Sequence, residues 1–169
     1  EGPTWVHAIG DTQWGKSDGD GTLGTVRRFR DTVDFHLDHL ARLRKHTPVA
    51  GVLLAWLGDC LEGNQSQGGA LRQRLDLTLT EQLRVFRRML TEQVTAYAAV
   101  GLPVTVVSVP GNHDEVERIG GTMSTRYDDS WAVEGASSVC DAIRLADRYD
   151  HVDFIFPRRD ELTVTLDTS

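Results

Sequence analysis

Cysteine is scarce in this chain: Cys60 and Cys140 are the only two among 169 residues. Two thiols cannot staple a disulfide framework, and they fit a reducing compartment, so a cytoplasmic location is expected. No stretch approaches the roughly 18 apolar residues that cross a bilayer, which argues against a helical span. No basic-then-apolar leader opens the chain. It begins at Glu1 rather than at methionine, so the start is expected to have been trimmed and the missing leader weighs little. Lysine is nearly absent, with only Lys16 and Lys45 among eighteen basic residues. An excess of positive charge is missing too. At a formal net charge of −7, the chain has no long-range attraction for phosphate backbones, which excludes a simple nucleic-acid coat protein. It does not exclude an enzyme acting on phosphates, because bound cations reverse the local field.

What is present is ordinary globular usage, 40% hydrophobic and 25% charged, enough for one domain across residues 1–169. Three short apolar runs end at glycine or proline: Trp5 to Ile9 before Gly10-Asp11, Val49 to Leu57 before Gly58-Asp59, and Val104 to Val109 before Pro110-Gly111. Such runs predict fully buried strands of a mostly parallel sheet. Between them, Val26, Phe29, Val33, Leu37, Leu40 and Leu43 step at helical spacing, as do Leu79, Leu83, Phe86, Leu90, Val94 and Tyr97. Thr78 to Glu81 has the spacing of a capping box. A weaker helical pattern covers Trp131 to Tyr149. Val152 to Phe156 and Leu162 to Leu166 then read as two strands joined by a turn around Pro157 to Asp160. This order predicts a layered α/β domain.

In open α/β sheets, ligands sit beyond the carboxyl ends of the strands. Each of the first three predicted strands runs into glycine and then into residues that ligate metals or move protons. The three ends read Gly10-Asp11-Thr12-Gln13-Trp14-Gly15, Gly58-Asp59-Cys60-Leu61-Glu62-Gly63-Asn64 and Gly111-Asn112-His113-Asp114-Glu115. They gather Asp11, Gln13, Asp59, Asn112 and His113. A set of carboxylate and carboxamide oxygens with one imidazole suits a hard or borderline dication. Two such ions can clamp a phosphate between them.

Gly58-Asp59 followed by Gly111-Asn112-His113-Asp114, after Asp11 at the end of the first strand, resembles the calcineurin-like metallophosphoesterase superfamily. The likeness covers roughly residues 4–115. It implies a metallophosphoesterase-like α/β sandwich and a phosphoester hydrolase with two divalent ions, manganese first, with magnesium, iron or zinc as alternatives. It assigns Asp11 and Gln13 to the first metal, Asp59 as the bridge and Asn112 to the second metal. His113 would assist the leaving oxygen, with Asp114 as its neighbour. Gln13 stands where the family has histidine. The family's later histidine motifs are absent, and His151 is the only histidine after His113. Two explanations stay open: an amino-terminal part of a longer enzyme, which is the preferred expectation, or a degenerate and inactive relative.

Asp11-Thr12-Gln13-Trp14-Gly15, and Gly58-Asp59 with Asn64 beyond, resemble the corresponding stretches of SbcD-type and phage exonuclease-like members. That branch implies a DNA exonuclease-like activity. A phosphomonoesterase or nucleotide phosphodiesterase, or a non-catalytic interaction module, are the alternatives. A homodimer or an ATPase partner follows by analogy only.

Other polar residues read more plainly. Glu62 and Asn64 are expected to stabilise a loop, and Cys60 to be a small buried apolar group. His36 and His39 are expected to face solvent, His7 to be packed, and His151 is a weak candidate for a missing ligand. Trp14 could stack a base or pack in the core. Arg84, Arg87 and Arg88 read as a solvated helix face, with a phosphate contact the less favoured reading.

Overall fold

β-branched and leucine-rich segments that cannot shed their side chains into water form the centre of the molecule. A computed structural model describes residues 2–120, 122–123, 125–157 and 163–165. Four strands, β1 (Thr4–Ile9), β2 (Gly51–Trp56), β3 (Val104–Ser108) and β6 (Val152–Ile155), pair in the order β1-β2-β3-β6, and every pairing is parallel. The helices α1 (Gly21–Leu43), α2 (Leu79–Ala98) and α3 (Trp131–Leu145) connect them. A 3₁₀ helix spans Ser66–Arg74, and a small antiparallel ribbon joins β4 (Arg118–Ile119) to β5 (Thr122–Met123).

The strand order has a direct consequence for layering. Each crossover moves one place in the same direction along the sheet, and right-handed crossovers therefore put every connecting helix on one face. Phe29 of α1 packs on Trp56 of β2 with ring centroids 5.6 Å apart, and Phe86 of α2 packs on the same indole at 5.2 Å. Val139 and Ile143 of α3 join a common core with Val104, Val106 and Val152. Along each strand side chains alternate between faces. Val52, Leu54 and Trp56 thus enter this core, whereas Leu53 and Val107, although buried, lie outside it. On that second face Val6, Leu57 and Ile155 are exposed, and no described helix covers it. The parallel α/β sheet expected from the sequence is present; it is apolar on both faces, and the described helices occupy one.

Side chains fully closed from solvent include Leu40, Leu54, Phe86 and Leu90, each contributing roughly 1.5–3 kcal/mol by burial. The predicted strands and helices appear with shifted ends. The third helix stops at Leu145 rather than reaching Tyr149. Of the predicted strand from Leu162 to Leu166, only 163–165 are described, and they form no strand. The turn from Pro157 to Asp160 lies, beyond Pro157 itself, outside the described residues. Among the described residues no helix is long and apolar enough to cross a membrane.

Candidate functional site

The three loops singled out in the sequence leave the carboxyl ends of adjacent strands, so the parallel pairing itself brings them together. Beyond β1 and β2 the chains keep running side by side. Asp11 N–H donates to the Gly58 carbonyl at 3.2 Å, Gln13 N–H to the Asp59 carbonyl at 3.0 Å, and Trp14 N–H to the Cys60 carbonyl at 2.9 Å. The β3 loop joins through Asp59, whose Oδ1 accepts the backbone N–H of His113 at 2.9 Å.

This approach requires glycine. A Cβ on Gly111 would run into the backbone and carboxylate of Asp59, and one on Gly63 would strike the His113 carbonyl. Gly58 has φ of 88°, and its Cβ would lie 2.9 Å from the Gly111 backbone. The glycines of Gly58-Asp59 and Gly111-Asn112-His113-Asp114 are therefore contact surfaces between the two loops as well as turn residues.

The backbone is strained at the same place. Only four non-glycine residues among those described have positive φ, and three are Asp11 (53°), Gln13 (41°) and Asp59 (51°). Aspartate tolerates the left-handed region better than glutamine does, and each such residue costs free energy that the surroundings must offset. Clusters of this kind occur where side chains must be aimed.

Asp114 is completely buried and spends both carboxylate oxygens on backbone amides. Oδ1 accepts from Leu61 at 2.8 Å, while Oδ2 accepts from Cys60 at 3.2 Å and Gly111 at 3.1 Å. Desolvation pushes its carboxyl up to about 6, opposed by those three amides. The structure therefore places Asp114 as a brace between the β2 and β3 loops. Asn112 is exposed, His113 is half-buried, Asp11 is exposed and Asp59 half-buried.

The His113 imidazole is oriented from below. Its Nδ1 lies 3.0 Å from the Glu62 carbonyl oxygen, which can only accept, so in the neutral ring Nδ1 carries the proton and Nε2 is the acceptor. The Glu62 carboxylate sits 3.6 Å from the same nitrogen. Glu62 is buried, its Oε2 has no hydrogen-bond partner, and desolvation pushes its carboxyl up. Glu62 ties the loops through its main chain, as a loop stabiliser would, its N–H donating to the Trp14 carbonyl at 2.9 Å, and it also presents a buried carboxylate to His113.

Gln82 supports the site and has no counterpart in the sequence reading. Fully buried, it accepts from Gly63 N–H at 2.9 Å and donates to the Leu77 carbonyl at 3.1 Å. A glutamine on the apolar stripe of α2 was the signal that could have revealed it. Asp76 adds a second tie. Its carboxylate accepts the N–H and the hydroxyl of Thr22, each at 2.7 Å, and the Thr22 hydroxyl oxygen accepts Gly15 N–H at 2.8 Å.

Several expectations are corrected by placement. His151 precedes β6 at the amino end of the sheet, opposite the site, and pairs with the Ala98 carbonyl at 3.0 Å. His36 is only partly exposed and stacks on His7 at 4.1 Å. Trp14 is fully buried against Phe29 at 5.8 Å, which leaves it unable to stack a base. Cys60, by contrast, is buried as the small apolar group that was expected, and desolvation raises its thiol well above its ordinary value.

The donor set available to a metal is two carboxylates, Asp11 and Asp59, and two amides, Gln13 and Asn112. Among the described residues no group of three or more His, Cys, Asp or Glu side chains is placed to hold an ion. The Gln13 amide oxygen accepts from Lys16 Nζ at 2.9 Å. These residues suit a hard dication in donor type and supply only part of a coordination shell. No known family, curated protein or solved structure matches the chain.

Proposed function

We propose that this chain is a calcineurin-like metallophosphoesterase domain that hydrolyses phosphodiester bonds, with DNA as substrate in an exonuclease-like reaction. One observation carries the proposal. Asp11, Gln13 and Asp59, three of the four non-glycine residues with positive φ among those described, stand at the ends of adjacent parallel strands beside Asn112 and His113. Turn formation alone asks for no such set.

Asp11, Gln13 and Asp59 would hold one dication, and Asp59 and Asn112 would contribute to a second, manganese being the first choice. Such a pair supplies charge neutralisation on the phosphate and acidifies a water molecule. The chain's own residues do the rest. Asp59 ties the β2 loop to the β3 loop through His113 N–H. Glu62 holds His113 in the tautomer whose Nε2 can exchange a proton with an oxygen of the substrate, and its carboxylate lies 3.6 Å from Nδ1 of the same ring. Asp114 fixes the spacing of the loops that carry these groups.

On this reading the apolar face bearing Val6, Leu53, Leu57 and Val107 takes the second layer of a sandwich, and further histidines complete the metal shell. A phosphomonoesterase or nucleotide phosphodiesterase would use the same centre, so a substrate panel of DNA, cyclic nucleotides and phosphomonoesters selects among them. A non-catalytic module is favoured by one contact, the Lys16 ammonium on the Gln13 oxygen, since it sets a positive charge beside a proposed ligand. Manganese titration decides between these readings: binding with DNA hydrolysis supports the nuclease, and no binding supports the module.

A further inference from the structure

α2 carries Arg84, Arg87 and Arg88 in the wall of the groove that it forms with α3, a cleft of about 580 Å³. Guanidinium groups at these spacings share one helix face and repel each other. A helix usually relieves that with acids one turn away. Here both nearby acids on α2 are committed elsewhere. Glu81 accepts from Thr78, through its N–H at 2.8 Å and its hydroxyl at 2.6 Å, although it still attracts Arg84 electrostatically. Glu92, four residues beyond Arg88, also lines the cleft but is held in a two-pronged pair by Arg30 of α1, with both contacts at 2.7 Å. Arg84, Arg87 and Arg88 are exposed and have no hydrogen-bond or ion-pair partner among the described residues. The opposite wall, Ser138, Val139 and Ala142, is small and uncharged.

The groove also leads to the candidate site. Gln82, two residues before Arg84, holds Gly63 N–H of the β2 loop. Trp131, the first residue of α3, donates its N–H to the Asp114 carbonyl of the β3 loop at 2.8 Å. Both walls thus start from the loops that carry Asp59 and His113. Arg84 to Arg88 occupy about 6 Å along the helix axis at 1.5 Å per residue, room for one or two successive phosphates.

We propose that the α2–α3 groove seats the phosphodiester backbone of a nucleic-acid strand through Arg84, Arg87 and Arg88, guiding that strand to the carboxyl ends of β1, β2 and β3. The assignment rests on the phosphodiesterase reading of the site. In a chain with net charge −7, an anion path must be local, and planar guanidinium groups match phosphate oxygens two at a time.

The test is binding of a fluorescein-labelled single-stranded DNA oligonucleotide in EDTA across a salt series. It compares the natural protein with the combined Arg84→Gln, Arg87→Gln and Arg88→Gln variant. Manganese-dependent hydrolysis of the small diester bis(4-nitrophenyl) phosphate is measured alongside. The variant should bind about tenfold or more weakly at low salt, and its salt slope should shrink by about 1, since the arginines span one or two phosphates and each contact on a single strand contributes roughly 0.7. Small-diester hydrolysis should be unchanged. Equal affinity and slope in both proteins would overturn the assignment, as would a labelled oligoglutamate peptide outcompeting DNA for the same arginines. If the small diester survives with both proteins while the arginine effect persists, the hydrolase reading fails and the groove still stands as a phosphate seat.

Discussion

The backbone N–H of His113 donates to the side chain of Asp59, residues 54 positions apart, at 2.9 Å. That bond is possible because Gly111 has no side chain, since a Cβ there would collide with Asp59. Gly111→Ala should therefore separate the two loops. We expect a loss of about 1–3 kcal/mol, the usual cost of overpacking, read as a lower midpoint in urea. An unchanged midpoint would show that the loops tolerate wider spacing.

Asp114→Asn tests the brace. An amide offers one acceptor oxygen where the carboxylate offers two, so at least one of the Cys60, Leu61 and Gly111 amides loses its partner. A buried donor left unpaired costs about 1–3 kcal/mol. Thermal melting of the variant at pH 7 checks this.

His7 makes a prediction about pH. It accepts from the Tyr97 hydroxyl at 2.8 Å, and desolvation with the neighbouring His36 pushes its imidazole down to about 4. The unfolded chain binds a proton there near the ordinary value of about 6.5, whereas the folded protein resists until about 4. Stability from this group is therefore present above pH 6.5 and is lost as pH falls towards 4, by at most about 3 kcal/mol. Asp114 works in the opposite sense between its ordinary range and about 6, so the comparison must be between proteins. His7→Phe should show a flatter dependence of stability on pH than the natural protein between pH 6.5 and 4.

Glu62→Gln probes the proton path. The Glu62 carbonyl remains and keeps His113 oriented, but the negative charge 3.6 Å from Nδ1 is gone. On the proposed phosphodiesterase reading, turnover of DNA should fall about tenfold or more through kcat, with KM little changed. A change in KM alone would assign Glu62 to loop structure.

Much of this arrangement was legible because glycine and proline mark where apolar runs must stop. Gly10, Gly58 and Pro110-Gly111 located the strand ends, and with them the loops carrying Asp11, Asp59 and His113. The one-sided layering was not read, since run length shows that a strand is buried but not what covers it. His36 was misplaced because it flanks the stripe of α1, and only the neighbouring strand supplies the His7 ring on which it stacks. The roles of Glu62 and Asp114 depend on which atoms their oxygens meet across loops distant in sequence. Gln82 and Gln93 break the apolar stripe of α2, and both are fully buried. Gln93 accepts the Trp56 indole N–H at 2.9 Å. Polar residues on a buried face were the overlooked signal.

The central claim is that the loops joined at Asp59 form a metal-dependent phosphodiesterase centre. The most direct test is hydrolysis of end-labelled DNA by the natural full-length protein with manganese, beside calorimetric manganese titration of the same protein and of Asp59→Asn. The account predicts manganese binding and DNA cleavage, with cleavage reduced at least about a hundredfold in the variant and manganese binding weakened. Cleavage at the natural rate by Asp59→Asn, or neither manganese binding nor cleavage in the natural protein, would contradict it.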